Sequence, residues 1–306
     1  MKDMFLRIGT RGSPLALAQA NETRRRLATA HGCSEEQFEI VIIKTTGDMI
    51  QDRPLSESGG KGLFTKEIDA AMLNGDIDIA VHSSKDLPTA LPDGIACPGY
   101  LPREDVRDAL ISSLAMNISD LPRGATLGTA SLRRQAQVRR LRPDVKVGLL
   151  RGNVETRLRK AESGEIGATL LAYAGLKRLG LAARVTSLLD LDDFLPAVGQ
   201  GAIGFTARTN DAKAHGALSA ITDRDTGYAL VVERAFLAVL DGSCRTPIAG
   251  HALVNGGQIT FRGQVYRPDG SETFETKAAG SIDDSVQLGR EAGRELLSRL
   301  PKGILP

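Results

Sequence analysis

Ile77-Asp78-Ile79-Ala80-Val81-His82-Ser83-Ser84-Lys85-Asp86 is the stretch from which the architecture reads. Ile77 to Val81 forms a mostly apolar strand, after which the chain turns abruptly polar. In open α/β sheets the carboxyl ends of strands are where ligands are held, so a polar cluster at this point is informative. Working back from it, Leu63 to Leu73 has helical spacing and Phe38 to Ile43 is a β-rich run. Phe5 to Ile8 reads as a short strand, leading into Thr10-Arg11-Gly12-Ser13-Pro14. There Ser13 is placed to cap a helix and Pro14 to begin it. This β-α-β-α-β alternation predicts a mainly parallel sheet covered by helices.

A second series comes next. Thr126 to Gly128 is a short strand, Ser131 opens a helix, and Val145 to Leu150 is a strand ending at Arg151-Gly152-Asn153. Val154 to Ala161 is helical and Ala168 to Ala172 is again a strand. The last third differs. A helix from Thr226 to Leu240 leads into Asp241-Gly242-Ser243-Cys244-Arg245. Ile248 to Val254 and Gln258 to Val265 then read as antiparallel strands around Asn255-Gly256-Gly257, a hairpin signal. Asp283 to Leu300 closes the chain as a helix, giving a small α+β domain.

Composition narrows the function. At 306 residues the chain is long enough for two or three domains with cores of their own. No stretch approaches the roughly 18 to 20 apolar residues of a membrane span. Met1 to Ser13 lacks the apolar core of a signal peptide, and three widely spaced cysteines make no disulfide framework. These features point to a reducing cytoplasm. Net charge is only +2, yet there are 28 Arg against 11 Lys, nine of the arginines between Arg123 and Arg159. Arginine's planar fork matches carboxylate or phosphate, so concentrated arginine in a near-neutral protein suggests one strongly anionic ligand. Aromatics are 4 % with no Trp, which leaves few platforms for stacking nucleic-acid bases.

Several local patterns carry less than they promise. Gly199-Gln200-Gly201-Ala202-Ile203-Gly204 matches G-x-G-x-x-G, but Pro196 precedes it and a β-prone run comes after it. A tightly packed crossover between domains fits better than a dinucleotide loop. Gly59-Gly60-Lys61-Gly62 lacks the full phosphate-loop spacing. No His or Cys spacing resembles a metal site. His82, after an apolar strand, reads as a buried, hydrogen-bonded core histidine. Asp86 is placed either to accept a ligand N–H or exchange a proton, or else to cap a helix or form a salt bridge. Cys244, on a loop beside Arg245, reads as a more reactive thiol that is either incidental or carries a group covalently. Thr45 to Lys61, polar and without period, is a candidate lid.

Arg11-Gly12-Ser13-Pro14-Leu15-Ala16-Leu17, Gly59-Gly60-Lys61-Gly62-Leu63-Phe64-Thr65-Lys66-Glu67, His82-Ser83-Ser84-Lys85-Asp86-Leu87-Pro88 and Ser131-Leu132-Arg133-Arg134-Gln135 together resemble the porphobilinogen deaminase family. So do Leu150-Arg151-Gly152-Asn153-Val154, Ala174-Gly175-Leu176-Lys177-Arg178-Leu179-Gly180, Pro196-Ala197-Val198-Gly199-Gln200-Gly201 and the Cys244 loop. The likeness runs in order from Leu6 to Gly250. It implies an α/β fold of three domains. Two are α/β lobes like those of periplasmic binding proteins, residues 1–101 with 202–219, and 102–201. The third, 220–306, is a small α+β domain carrying the cofactor cysteine.

The resemblance further implies a transferase of porphyrin, tetrapyrrole and haem biosynthesis. It would condense four porphobilinogen molecules head to tail, with loss of ammonia, into the linear tetrapyrrole hydroxymethylbilane. The primer would be a dipyrromethane cofactor held through a thioether at Cys244. Asp86 corresponds to the catalytic aspartate. Ser83, Lys85, Thr129, Ser131, Arg133 and Arg134 correspond to cofactor contacts, and Arg11, Ser13, Lys61, Arg151, Arg157 and Arg178 to substrate contacts. Cofactor and growing chain together gather roughly a dozen carboxylates, whose repulsion requires a cationic or N–H partner for each. The resemblance implies a monomer with a small-molecule substrate and no metal, nucleic-acid or membrane partner. A two-lobed receptor for an anion would explain the arginines but not Cys244. A nucleic-acid binder would explain the Arg123 to Arg159 run but not the near-zero net charge.

Overall fold

The structure is a computed structural model that describes residues 5–49, 62–242 and 246–305. Its strands are β1 (Leu6–Thr10), β2 (Phe38–Ile42), β3 (Ile79–Ser83), β4 (Ile95–Ala96), β5 (Asp108–Ser112), β6 (Thr126–Gly128), β7 (Lys146–Gly148), β8 (Ala168–Ala172), β9 (Ser187–Leu188), β10 (Ile203–Arg208), β11 (Ile248–Asn255), β12 (Gln258–Tyr266) and β13 (Thr273–Ser281). Its helices are α1 (Pro14–His31), α2 (Thr46–Met49), α3 (Lys66–Leu73), α4 (Leu132–Leu141), α5 (Val154–Glu162), α6 (Tyr173–Arg178), α7 (Ala212–Ser219), α8 (Arg224–Val239) and α9 (Ser285–Arg299). The described residues fall into two compact units. One runs to Glu104 and includes Ala202–Gly227; the other comprises Asp105–Gly201 and Tyr228 onward.

The first unit holds a five-stranded sheet in the order β2-β1-β3-β10-β4. β1 lies parallel to both β2 and β3, with Ile8 opposite Ile40 and Ile79. β10 runs antiparallel to β3 and β4, so four of the five strands point one way and the mainly parallel sheet carries one reversed strand. β10 arrives from far along the chain, and its direction is not written in the local alternation. Leu6, Ile8, Phe38, Ile79, Val81 and Phe205 build the core beneath α1. That helix starts as its sequence requires. Ser13 is extended, its Oγ accepts from the Ala16 N–H at 3.3 Å, and Pro14 occupies the first turn, where an N–H would have no partner.

The second unit repeats the plan with β7-β6-β8-β5-β9. β6 is parallel to β7 and β8, while β5 is antiparallel to β8 and β9. The same unit holds an antiparallel sheet, β11-β12-β13, with α9 packed on it. The β11–β12 hairpin turns through Gly256 and Gly257 at φ +57° and +80°, a left-handed pair that glycine adopts without strain. The third strand, β13, is an addition to the two that the sequence pattern indicates. Two α/β sheets and one small α+β sheet make up the expected fold class.

Candidate functional site

In the first unit, β1 and β3 are parallel neighbours, so the segments that leave their carboxyl ends lie at the same edge of the sheet. After β1 come Arg11 and Ser13; β3 ends in His82 and Ser83 and passes into a short turn, Ser84–Asp86. Arg11, Ser13, Gln19, Phe64, His82, Ser83 and Asp86 line one pocket. Four of them, Arg11, Ser13, Ser83 and Asp86, are the residues the sequence indicates. Lys85 is exposed on the same turn and is not among the lining residues.

Asp86 keeps about a third of its side chain exposed, and its Oδ2 lies 3.9 Å from Arg11 Nη1. That distance is an ion pair beyond hydrogen-bond reach. Arg11 is held elsewhere. Its Nε–H is 3.1 Å from both Asp48 oxygens, its Nη2 also donates to Asp48, and its guanidinium lies 4.1 Å from the Phe64 ring centroid. Burial pushes the Asp48 carboxyl up, but the bonds from Arg11 and Thr45 outweigh it and hold the group below its ordinary range. Ser83 and Gln19 exchange hydrogen bonds. Gln19 Nε2 donates at 2.9 Å, and the Ser83 hydroxyl lies 3.2 Å from Gln19 Oε1.

His82 is both things at once. It is buried, with Nε2 3.1 Å from Thr206 Oγ1 on β10, as the core reading expects, and it also lines the pocket. Desolvation, then the nearby Arg11 charge, lowers its pKa from 6.5 to about 4, so it is neutral at pH 7.

In the second unit, Thr129 comes directly after β6 and Arg151 lies just past β7, with β6 and β7 parallel neighbours. Ser131 caps α4, accepting from the Arg134 N–H at 3.4 Å, and Thr129 Oγ1 accepts from the Ser131 N–H at 3.2 Å. Arg157, on α5, donates through Nε to Gly152 O at 2.9 Å. Arg178, closing α6, donates through Nη2 to Gly201 O at 2.9 Å.

Arg133 and Arg134 do not present open forks. Both are buried and both grip Asp108 of β5, at 2.8 Å from Arg133 Nη2 and 2.6 Å from Arg134 Nη2. Gln200 Nε2 adds a third donor at 2.9 Å, while Arg133 Nη1 also reaches Gln137 Oε1 and Leu195 O. Burial opposes the Asp108 charge, but the two guanidinium groups overcome it and drive its pKa far down. One carboxylate here serves two guanidinium groups, and Arg133 Nε is a buried donor with no hydrogen-bond partner among the described residues. The network therefore keeps an excess of positive charge and an unmet donor. Both favour an anionic ligand.

Asp108, Asp48, Gln19 and Phe64 are not singled out by sequence. A lone acid in the apolar run Asp108-Ala109-Leu110-Ile111 is the available signal for the first. Lys61, Cys244 and most of the candidate lid lie outside the described residues. The lid's described start, Thr45 to Asp48, is bonded to its surroundings, with Gly47 N donating to Leu63 O at 3.0 Å.

Comparison with known proteins gives consistent results. The family model for "Porphobilinogen deaminase, dipyromethane cofactor binding domain" matches residues 6–216. The model for "Porphobilinogen deaminase, C-terminal domain" matches residues 228–298. Proteins named porphobilinogen deaminase from Nitrobacter hamburgensis and Nitrobacter winogradskyi are each 60 % identical to this chain over 297 residues, covering 97 % of it and 94 % of their own length. Among solved structures, the periplasmic aliphatic sulphonate binding protein SsuA from Escherichia coli is 16 % identical with a TM-score of 0.41, over 76 % of this chain and 69 % of its own. The VFT2 domain of BvgS from Bordetella pertussis is 15 % identical with a TM-score of 0.41, over 70 % and 84 %.

Proposed function

The chain belongs to the porphobilinogen deaminase family, an enzyme family of tetrapyrrole synthesis with a dipyrromethane cofactor, and from that premise we propose how its residues divide the work. Porphobilinogen brings two carboxylates, a pyrrole N–H and an aminomethyl group that leaves as ammonia. The pocket at the ends of β1 and β3 suits the reacting ring. Asp86, partly open, accepts the pyrrole N–H and stabilises the positive charge that builds on the ring as ammonia departs. The same carboxylate is placed to take the ring proton released when the new carbon–carbon bond has formed. Arg11 and Ser13 receive substrate carboxylates, as do Lys61, Arg151, Arg157 and Arg178.

The residues of the second unit fit a polyanionic cofactor. The excess positive charge around Asp108 and the helix start at Ser131 both favour carboxylates. Thr129, Ser131, Arg133 and Arg134, with Ser83 and Lys85, would hold them, and Cys244 would anchor the group through a thioether. When bound, the cofactor supplies the nucleophilic pyrrole carbon from which the product grows.

The three-domain division at 1–101 with 202–219, 102–201 and 220–306, the cytoplasmic location and the monomeric state belong to the same reading. The separate C-terminal family match at residues 228–298 supports the third domain of this division. Nucleic acid and membrane are not partners in this reading.

The observation that carries the catalytic assignment is the convergence of Asp86 and Arg11 in one pocket. Intact mass under denaturing conditions tests the anchor. Wild type should exceed its sequence mass by two porphobilinogens less two ammonias, and Cys244→Ser should not. Wild type at sequence mass even after incubation with porphobilinogen would sink the assignment.

A further inference from the structure

Asp48 belongs to the single turn α2, and the turn is fixed on several sides. Thr46 N–H donates to Glu67 Oε1 at 3.0 Å, and Gly47 N–H to Leu63 O at 3.0 Å. A Cβ on Gly47 would stand 2.4 Å from the Phe64 ring, so this glycine is what lets that ring press against the turn. The same ring lies against the Arg11 guanidinium. Thr45, fully buried, donates its hydroxyl to Asp48 Oδ2 at 2.8 Å. The carboxylate so oriented engages the Nε and Nη2 edge of Arg11.

That edge is the fork with which arginine makes its strongest, bidentate pairs with carboxylates. Among the described residues, Asp86 is the other carboxylate paired with Arg11, at 3.9 Å from Nη1. A guanidinium free to turn would close on Asp86 and occupy the oxygens a pyrrole N–H needs. We propose that Asp48 is a positioning residue: by taking the fork of Arg11, it keeps that cation beside Asp86 without letting it hydrogen-bond there. Asp86 then keeps its oxygens open to the substrate ring. This inference rests on the catalytic reading of Asp86.

The test is steady-state kinetics of the cofactor-loaded enzyme with porphobilinogen, loading being verified by intact mass. Asp48→Asn keeps the shape but loses the charge that holds the fork. It should lower kcat by about ten- to a hundredfold and leave KM within about threefold. Thr45→Val, which removes the hydroxyl that orients Asp48, should move kcat the same way by less. An Asp48→Asn enzyme with lowered KM and unchanged kcat would mean that Asp48 merely competes with the substrate carboxylate, which overturns the proposal. Unchanged kinetics overturn it too. So does an Asp48→Asn protein that fails to fold while Thr45→Val turns over normally, since the role would then be structural. Asp86→Asn measured alongside separates the two readings. Normal turnover there removes the premise, whereas an inactive Asp86→Asn beside a normal Asp48→Asn removes only this inference.

Discussion

At the scale of single residues, the pocket holds opposite charges close but incompletely paired, with Asp86 3.9 Å from Arg11. Asp86 is the group whose loss should show most plainly. Asp86→Asn preserves size and one acceptor oxygen but removes the charge that faces a cationic ring. Turnover should fall at least about a hundredfold with the fold intact. Near-wild-type turnover in a folded, cofactor-loaded Asp86→Asn would remove the residue from catalysis. Asp86 and Arg11 are legible in the sequence because each comes after a strand in a polar run. Their partners are less so. Asp48 and Phe64 come from segments with no clear period, and their meaning depends on which guanidinium they meet in space. Gln19 sits inside a helix, where a polar residue normally signifies solvent, but it is buried against Ser83. Arg133 and Arg134 show the reverse case. Their side-chain chemistry is evident, but its first use is an internal one, because Asp108 lies 25 residues away from Arg133 on an antiparallel strand.

At the scale of elements, what the chain spells locally is what forms locally. The Ser13 cap, the Pro14 start, the Ser131 cap and the two-glycine hairpin each rest on backbone preferences of adjacent residues, and all are observed. Strand direction is different. β10 and β5 enter their sheets antiparallel by way of long connections, and no local pattern encodes that choice. The element most dependent on distant chemistry is α4. Its first turn is tied to β5 through Asp108, which also holds Gln200 of the glycine-rich crossover. Asp108→Asn would leave two buried cations facing an amide. It should cost about 3–5 kcal/mol, read as a lower urea midpoint at unchanged m-value. Glu165→Gln, which breaks the exposed Lys160–Glu165 pair, should stay within about 1 kcal/mol. Equal effects from the two variants would show that the buried network carries no special share of the stability.

At the scale of the whole molecule, the two units contain buried ionisable groups that respond to acid in different ranges. His82, in the first unit, has its pKa lowered from 6.5 to about 4 by burial and by Arg11. Above pH 6.5 it is neutral in both folded and unfolded chains, and its environment costs nothing. As pH falls from 6.5 to 4 the unfolded chain binds the proton and the folded one does not. Stability is therefore lost across that window, by roughly 3 kcal/mol at its lower end. Asp108, in the second unit, has a folded pKa driven far below 3.8. Its stabilisation is complete above 3.8 and fades only below it. Backbone hydrogen exchange, corrected for the intrinsic pH dependence of amide exchange, should accordingly show β3 and β10 losing protection between pH 6.5 and 4. β5 and α4 should keep theirs until the pH drops further. His82→Gln, which cannot take up a proton, should flatten the first of these slopes and leave the second. The assignment fails if β3 and β5 lose protection in parallel over the upper window, or if His82→Gln leaves the slope of β3 unchanged. The window matters to function because His82 adjoins Ser83 at the end of β3, the strand that leads into the turn bearing Asp86. Acid strong enough to charge His82 acts on the strand that supports Asp86, the proposed catalytic carboxylate, before it reaches the Asp108 network.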